Sequence, residues 1–212
     1  MSVFAGKRLR AAGALAGTCL LLFGARGALG HWVPDQKGAP SAWREAVGRP
    51  APEFTLIDQE GRPFSLSGQR GRAVLLTFLF TSCTDLCPLV TTQMAAVARR
   101  LGPNAPLRLV VITTDPEVDG VEVLRAYGRR FGADPERWSF LTGSPRALER
   151  VWHAYGVSVT PVARGLVEHN YVLALVDAGG IWRATYHGEG WDVGQVAEDL
   201  LRILPAPLPT RR

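Results

Sequence analysis

The chain has 212 residues, of which 47% are hydrophobic and 20% are charged, so it can form one sizeable globular domain. Its formal net charge of +5 comes largely from residues 1–30, because the rest of the chain carries 20 basic against 19 acidic residues. Charges this balanced provide no basic face for a phosphate backbone, and we therefore expect no nucleic-acid partner.

Residues 1–30 have the pattern of a targeting segment. Three basic residues precede an apolar run over 11–25, which is the order found in a signal peptide. Small residues at positions 28 and 30 resemble a cleavage site that would leave His31 as the first residue. The run is short beside the ~20 residues that span a bilayer, and an uncleaved membrane anchor is the alternative. Either way, the remaining chain is expected to be exported, to the periplasm or to the outer face of the cytoplasmic membrane.

The rest of the chain divides into a linker, one domain and a tail. Residues 31–45 are rich in Gly, Pro and polar side chains and are predicted to be a linker. Residues 46–204 are predicted to form a single domain, which we expect to be monomeric. Residues 205–212 contain three prolines and are expected to be disordered.

The first part of the domain is predicted to contain a hairpin, a strand and a helix. Residues 54–58 and 63–66 flank the turn sequence Gln-Glu-Gly-Arg, which is typical of a β-hairpin. The nearly continuous apolar run over 73–80 predicts a strand that is buried on both faces. Pro88 suits the start of a helix, whose apolar residues recur at helical spacing. These residues are Val90, Met94, Val97 and Leu101.

The remaining predicted elements alternate between strands and helices. They are a strand over 107–112, a helix over 121–131, a strand over 138–141, a helix over 144–155, strands over 171–176 and 182–186, and a helix over 193–203. Asp119 is predicted to cap the second helix. Phe78, Phe80 and Trp138 are expected to fill the core. The order predicts an α/β fold with a mixed sheet, helices on both faces and an N-terminal β-hairpin, which is the thioredoxin-like pattern.

Two cysteines stand at a chemically favoured position of this fold. Cys83 follows the first long strand, and Cys87 begins the helix after it. At a helix N-terminus, unpaired N–H groups and the positive end of the helix dipole favour the thiolate over the thiol. A spacing of four residues can also place both sulfurs on one side of a helical turn. The pair could therefore hold a soft metal ion or form a disulfide.

A distant histidine, His169, can complete a metal site if the fold brings it to the cysteines. Two thiolates and one imidazole suit copper(I) and can also accept copper(II). Zinc accepts the same ligand types but usually takes a fourth donor, which Asp85 or Asp115 could supply. His31, as a first residue with a free amine, is a weaker candidate for binding copper.

The same cysteines allow two other interpretations. A disulfide across three residues closes a very small loop and stabilises weakly, which counts against a purely structural bridge in a non-catalytic interaction domain. A thiol–disulfide oxidoreductase would use Cys83 as the attacking thiol and Cys87 as the resolving thiol, although such motifs normally have two intervening residues. The other histidines, His153 and His187, are expected to be surface or hydrogen-bonded residues.

The cysteine motif resembles that of the Sco/SenC family, thioredoxin-like proteins of cytochrome c oxidase assembly. The resemblance rests on Cys-x-x-x-Cys-Pro over 83–88 and on an Asp-Pro pair at 115–116, after the second long strand. Val-Glu-His over 167–169 and the strand and turn over 175–180 are also similar to the family. The likeness extends over about residues 50–204.

Membership of this family would imply that Cys83, Cys87 and His169 bind copper. The implied function is that of a metallochaperone, which delivers copper to the binuclear copper centre of cytochrome c oxidase subunit II. The partner would be that subunit or another periplasmic copper or thiol protein, and reduction of partner cysteines is the alternative function. Residues 157–166 contain a proline and a glycine and are predicted to form a mobile loop, in which case His169 would join the site when metal binds.

Overall fold

A computed structural model describes residues 42–205 of the chain, which belong to a single structural unit. The predicted targeting segment, His31 and residues 206–212 lie outside the described residues. No helix between residues 42 and 205 is long and apolar enough to cross a membrane.

Ten strands and four helices form within residues 42–205. The strands are β1 Ala42–Pro50, β2 Thr55–Ile57, β3 Pro63–Ser65, β4 Ala73–Leu79, β5 Leu107–Thr113, β6 Trp138–Leu141, β7 Val159–Ala163, β8 Leu166–His169, β9 Val172–Val176 and β10 Ile181–Gly188. The helices are α1 Leu86–Leu101, α2 Val121–Arg130, α3 Pro145–Ala154 and α4 Val193–Ile203. A short 3₁₀ turn, Ser67–Gln69, follows β3.

Six strands form the central sheet in the order β1-β10-β9-β4-β5-β6. β5 pairs parallel with both β4 and β6, whereas β9 pairs antiparallel with β4 and β10, and β1 pairs antiparallel with β10. Every residue of β4, β5 and β9 is buried, which explains why these segments are apolar runs rather than alternating patterns. The predicted mixed sheet is confirmed.

Successive residues of the central strands point to opposite faces and enter two separate hydrophobic clusters. Leu75 belongs to the cluster under α1, α2 and α4, together with Phe80 and Trp138. Leu76 and Phe78 belong to the cluster on the other face, which α3 and the β2–β3 hairpin cover. Helices therefore cover both faces of the sheet, as the sequence predicts, and the three aromatic residues expected in the core are buried.

The strand β1 occupies residues that the sequence analysis assigns to the end of the linker and the start of the domain. It pairs with β10 near the other end of the domain, and a bulge shifts the register within it. Nearly all residues over 44–50 are exposed, so this segment has no alternating apolar pattern that would predict a strand. On α4, the buried carboxylate of Asp199 pairs with Arg44 of β1 and accepts a hydrogen bond of 2.8 Å from Tyr186 of β10. This contact links β1 to β10 and α4.

Two predictions about helix starts need correction. α1 begins at Leu86, so Pro88 is its third residue rather than its first. Its missing N–H is one of the first four of the helix, none of which has an intrahelical partner. α2 begins after Gly120, and no side chain caps it, so the capping role predicted for Asp119 is wrong. The side chain of Asp119 points instead into the protein and is fully buried.

The segment predicted to be a loop over 157–166 instead contributes to the hairpin β7–β8. The two strands pair antiparallel, with Val159 opposite His169. Gly165 stands at the turn with φ of 77°, a conformation that glycine adopts without strain. Pro161 lies in β7, which pairs only with β8 among the described strands, and such an edge position is where strands tolerate proline. The hairpin therefore sets the position of His169 through strand pairing.

Candidate metal centre

The two cysteines lie at the carboxyl end of β4, where the chain turns into α1. Cys83 belongs to the connecting loop, and its N–H donates to the Phe80 carbonyl oxygen at 3.4 Å. Cys87 is the second residue of α1, and its N–H donates to Sγ of Cys83 at 3.4 Å. Cys87 is fully buried, whereas Cys83 is half-buried, and both are free thiols. The start of α1 therefore faces the sulfur of Cys83.

The protein shifts the pKa values of the two thiols in opposite directions. Partial burial opposes ionisation of Cys83, but hydrogen bonds from the backbone of Cys87 and Asp85 outweigh it, and the pKa of Cys83 is lowered. Burial dominates at Cys87 and raises its pKa far above the usual value, and a hydrogen bond from the Phe80 backbone offsets only part of this. The predicted lowering of the thiol pKa is therefore found for Cys83 and is wrong for Cys87.

His169, the last residue of β8, has one ring nitrogen fixed and the other free. Its Nδ1 lies 3.0 Å from the carbonyl oxygen of Asn170, which can only accept a hydrogen bond, so the ring hydrogen is on Nδ1. The other nitrogen, Nε2, then carries a lone pair, and it is buried without a hydrogen-bond partner. Burial lowers the pKa of His169 more than the Asn170 carbonyl raises it. The ring is therefore neutral at pH 7, which is the form that binds metals.

Asn170 holds the backbone next to this ring. Its Oδ1 accepts a hydrogen bond of 2.7 Å from the N–H of Ser158, and its Nδ2 donates one of 2.9 Å to the carbonyl of Gly156. Both bonds tie the end of β8 to the segment before β7. Ligating histidines commonly depend on such an outer partner for ring orientation. The sequence analysis missed Asn170, since an exposed amide after a histidine has no distinctive signal.

The imidazole packs beside the cysteine loop. Its ring centroid lies 5.9 Å from that of Phe80, edge to face, and 5.0 Å from that of Tyr171. Phe80 is also the residue whose carbonyl accepts the N–H of Cys83. Nevertheless, no three His, Cys, Asp or Glu side chains within residues 42–205 are already gathered as a metal-holding group. The three expected ligands thus border one end of the sheet without being assembled.

A buried carboxylate anchors the start of the cysteine loop. Asp119 accepts hydrogen bonds from both donors of Thr81, its N–H and its hydroxyl, and from the hydroxyl of Thr113 at 2.6 Å. Below the loop, the hydroxyl of Thr91 donates to the carbonyl of Cys87 at 2.8 Å. Thr81 and Asp119 are 38 residues apart in sequence, which is why sequence reasoning did not assign Asp119 to the site.

The two acids offered as additional ligands have different surroundings. Asp85 is exposed at the start of α1. Asp115 is buried, and its Oδ2 has no hydrogen-bond partner. It lines a groove of about 750 Å³ between the β5–α2 loop, α3 and the β7–β8 hairpin. Neither acid is gathered with the cysteines and His169 as a metal-holding group within the described residues.

The two other described histidines have the environments that the sequence analysis expected. His153 is exposed on α3. His187 is half-buried on β10, with Nε2 3.3 Å from a carboxylate oxygen of Glu45.

The chain is similar to known proteins over most of its length. The SCO1/SenC family model matches residues 44–205. The mitochondrial SCO2 homolog of Homo sapiens is 30% identical over 202 residues, which cover 87% of this chain and 73% of the human protein. A Stutzerimonas stutzeri protein named for copper binding is 32% identical over 174 residues, or 77% of this chain and 79% of that protein.

A solved structure gives the same result at the level of the fold. Bradyrhizobium japonicum ScoI with copper bound matches with a TM-score of 0.63 and 27% identity, over 75% of this chain and 100% of that one. The family match covers most of the chain, and it includes both cysteines and His169. The resemblance noted from the cysteine motif is confirmed, and the chain belongs to the SCO1/SenC family.

Proposed function

We propose that this chain is a copper-binding metallochaperone that holds the ion through Cys83, Cys87 and His169. The observation that carries the proposal is the buried Nε2 of His169, which has a free lone pair, no hydrogen-bond partner and a ring packed against Phe80. A buried acceptor without a partner is unfavourable unless a ligand completes it. A metal ion bound beside Cys83 would do so.

The chemistry of the three donors favours copper. Thiolates are soft ligands that select copper(I), and imidazole suits copper in both oxidation states. The pKa of Cys83 is lowered, which makes its thiolate more accessible, whereas Cys87, with a raised pKa, must lose its proton as the metal binds. Copper-bound structures and copper-binding names among the relatives support the same cargo.

Binding would require the three donors to close around the ion. The Cβ that an alanine would have at Gly165, in the β7–β8 turn, would lie 3.4 Å from the Ser82 hydroxyl, so the turn borders the cysteine loop. A movement of this hairpin towards the cysteine loop would bring Nε2 of His169 to the sulfurs. The conformational step predicted for a mobile loop is therefore proposed for the hairpin instead.

Copper would leave the chain by ligand exchange with a partner that offers its own thiols. Each partner thiol loses a proton as its sulfur bonds the ion, and the cysteine that it replaces gains one. The charge of the site is conserved, and copper keeps its oxidation state. The family relationship supports cytochrome c oxidase subunit II, with its binuclear copper centre, as the acceptor.

Copper titration of the reduced protein tests the binding step. We expect one copper per chain with both thiols shielded, and loss of tight binding in Cys83→Ser and Cys87→Ser. His169→Ala should weaken binding by more than the about 10–100-fold that an outer-shell change produces. His153→Ala changes a histidine that is exposed on α3, so it is the matched control and should bind copper as the parent does. Unchanged affinity in all three ligand variants would remove the proposal.

A second candidate function is thiol–disulfide exchange, and the unequal thiols favour it. The Cys83 thiolate would attack a partner disulfide and expel one partner sulfur, which takes up a proton. Cys87 would then lose its proton and attack the sulfur of Cys83, which releases the second partner thiolate. Two electrons pass to the partner, and a dithiol donor would reduce the resulting Cys83–Cys87 disulfide again.

One pair of measurements separates the two functions. The copper-loaded protein is mixed with the isolated copper domain of subunit II, and formation of the binuclear centre is followed by its visible absorption. In parallel, the copper-free protein is mixed with the oxidised form of that domain, and free thiols are counted. Delivery requires His169, whereas reduction does not, so His169→Ala should abolish the first and preserve the second. Failure of both in the parent would leave a non-catalytic interaction domain.

The proposed location follows from the targeting segment. We propose that the domain is exported and works in the periplasm or on the outer face of the cytoplasmic membrane. Fractionation of producing cells, with the N-terminal sequence of the mature protein, would distinguish a cleaved signal peptide from a retained anchor. Recovery of the chain in the cytoplasm would contradict this proposal.

A further inference from the structure

Asp119 is a fully buried carboxylate that stands between the carboxyl ends of β4 and β5. Its Oδ2 accepts hydrogen bonds from the Thr81 N–H at 3.1 Å and from the Thr113 hydroxyl at 2.6 Å. Its Oδ1 accepts the hydroxyl of Thr81. Three donors point at this side chain, and a carboxylate that only accepts hydrogen bonds satisfies all of them. This geometry fits the ionised form of Asp119.

The position of Thr81 connects this carboxylate to the cysteines. β4 ends at Leu79, whose carbonyl accepts the N–H of Thr114. Beyond that bond the chain leaves the sheet, and Thr81 stands two residues before Cys83. Both hydrogen-bond donors of Thr81 go to Asp119. Asp119 therefore fixes the start of the cysteine loop against the end of β5.

Capping of α2 does not explain why the carboxylate of Asp119 is buried. Removing a carboxylate from water costs several kcal/mol after relaxation. Asp119 does not offset this by capping α2, because Gly120 precedes that helix without a side-chain cap. The hydrogen bonds from Thr81 and Thr113 offset part of this cost, although burial still raises the pKa of Asp119, and they connect the cysteine loop to β5. These hydrogen bonds therefore stabilise the position of the cysteine loop rather than the start of α2.

We propose that Asp119 is a positioning residue for the metal centre, which holds Thr81 so that the sulfurs of Cys83 and Cys87 are presented to the same ion. The proposal rests on copper binding as the proposed function. Asp119 contacts neither sulfur in the described hydrogen bonds and acts through the loop. Its negative charge also contributes to the raised pKa of Cys87, which supports the unequal charge of the two thiols.

Paired threonine variants test the hold on the loop. Thr81→Val and Thr113→Val each remove one hydroxyl from the same carboxylate, but only Thr81 belongs to the cysteine loop. Two properties are measured at pH 7, the copper affinity and the rate at which iodoacetamide alkylates Cys83. We expect Thr81→Val to lower copper affinity about 10–100-fold, as outer-shell changes do, and to slow alkylation severalfold. Thr113→Val should affect both much less, because it leaves the Thr81 bonds intact and the backbone N–H of Asp119 still donates to the carbonyl of Asp115 at 2.9 Å, just after β5.

Two further variants separate positioning from stability. Thr81→Ser keeps both donors to Asp119 and should restore the parent values. Asp199→Asn perturbs a buried carboxylate of the β1–β10–α4 contact, and it should lower the free energy of unfolding without changing either property of the site. All variants are compared in urea unfolding, so that an effect on the site can be set against the loss of stability.

The outcomes decide the proposal. Thr81→Val values within twofold of the parent would overturn it, and so would equal effects of Thr81→Val and Thr113→Val. A change in Asp199→Asn as large as in Thr81→Val would also overturn it, because the site would then follow global stability. If the parent protein binds no copper, the proposed function fails, but the alkylation rates still decide whether Asp119 positions Cys83.

Discussion

The two side-chain hydrogen bonds of Asn170 give a quantitative expectation for the metal centre. Asn170→Ala removes the bonds to Ser158 and Gly156, worth together about 1–3 kcal/mol. These bonds hold the carbonyl that fixes Nδ1 of His169, so the imidazole should lose its orientation while keeping its chemistry. We expect copper affinity to fall about 10–100-fold. That range corresponds to about 1.4–2.8 kcal/mol, similar to the hydrogen bonds lost.

The assay is competition for copper(I) against a chelator of known affinity, under reducing conditions. Asn170→Asp is the graded control, because it keeps the acceptor for the Ser158 N–H and loses the donor to Gly156. It should fall between the parent and Asn170→Ala. Urea unfolding of each variant checks that the domain remains folded. Copper affinity of Asn170→Ala within twofold of the parent would refute the argument that this amide orients His169.

Three further expectations concern stability and thiol reactivity. Asp199→Asn should lower the free energy of unfolding by about 1.5–3 kcal/mol. Burial opposes ionisation of Asp199, but hydrogen bonds from Tyr186 and from the arginine partners of Asp199 outweigh burial and lower the pKa of Asp199. The stabilisation by this carboxylate is therefore fully present above the unfolded pKa of about 3.9, and it is lost as pH falls through the lower folded pKa. Acid titration of stability, followed by circular dichroism, should therefore be flatter in the variant. Gly128→Ala in α2 should lower the free energy of unfolding by about 1–3 kcal/mol despite the better helix propensity of alanine, because the new Cβ would lie 2.9 Å from the ring of Phe140. A variant that resists urea better than the parent would contradict this expectation. In native protein at pH 7, the Cys87→Ser variant, which keeps Cys83, should be alkylated much faster than Cys83→Ser, which keeps Cys87. The reason is that only Cys83 is partly exposed and has a lowered pKa. Equal alkylation rates by mass spectrometry would contradict the difference between the two thiols.

The central sheet could be predicted because its strands are buried on both faces. Such strands are apolar along their whole length, so β4, β5 and β9 are recognisable without knowledge of their partners. The placement of Cys83 and Cys87 was equally local, since it needed only the end of a strand and the start of a helix. These features depend on neighbours in sequence, and for that reason the sequence was sufficient.

The features that were missed depend on distant neighbours. β1 carries a bulge and forms by pairing with β10, while β7 is mostly exposed and forms by pairing with β8. Asp119 before a helix has the same local signal whether it caps that helix or turns inward. Only the folded chain brings Thr81 and Thr113 to it and decides between these roles.

Under the proposed function the chain must release copper as well as hold it, and the unequal thiols suit both steps. The lowered pKa of Cys83 makes its thiolate more accessible to an incoming ion, whereas the raised pKa of Cys87 means that its proton would leave only as the ion binds. That proton competes with copper for the sulfur of Cys87 and so weakens retention. His169, whose pKa burial lowers, would add a ligand without such competition. An acceptor with two readily ionised thiols would then draw copper away, because protonation of buried Cys87 favours the empty site. The same raised pKa suits a resolving thiol in disulfide exchange, so copper transfer and reduction would use one asymmetry and differ in their need for the imidazole.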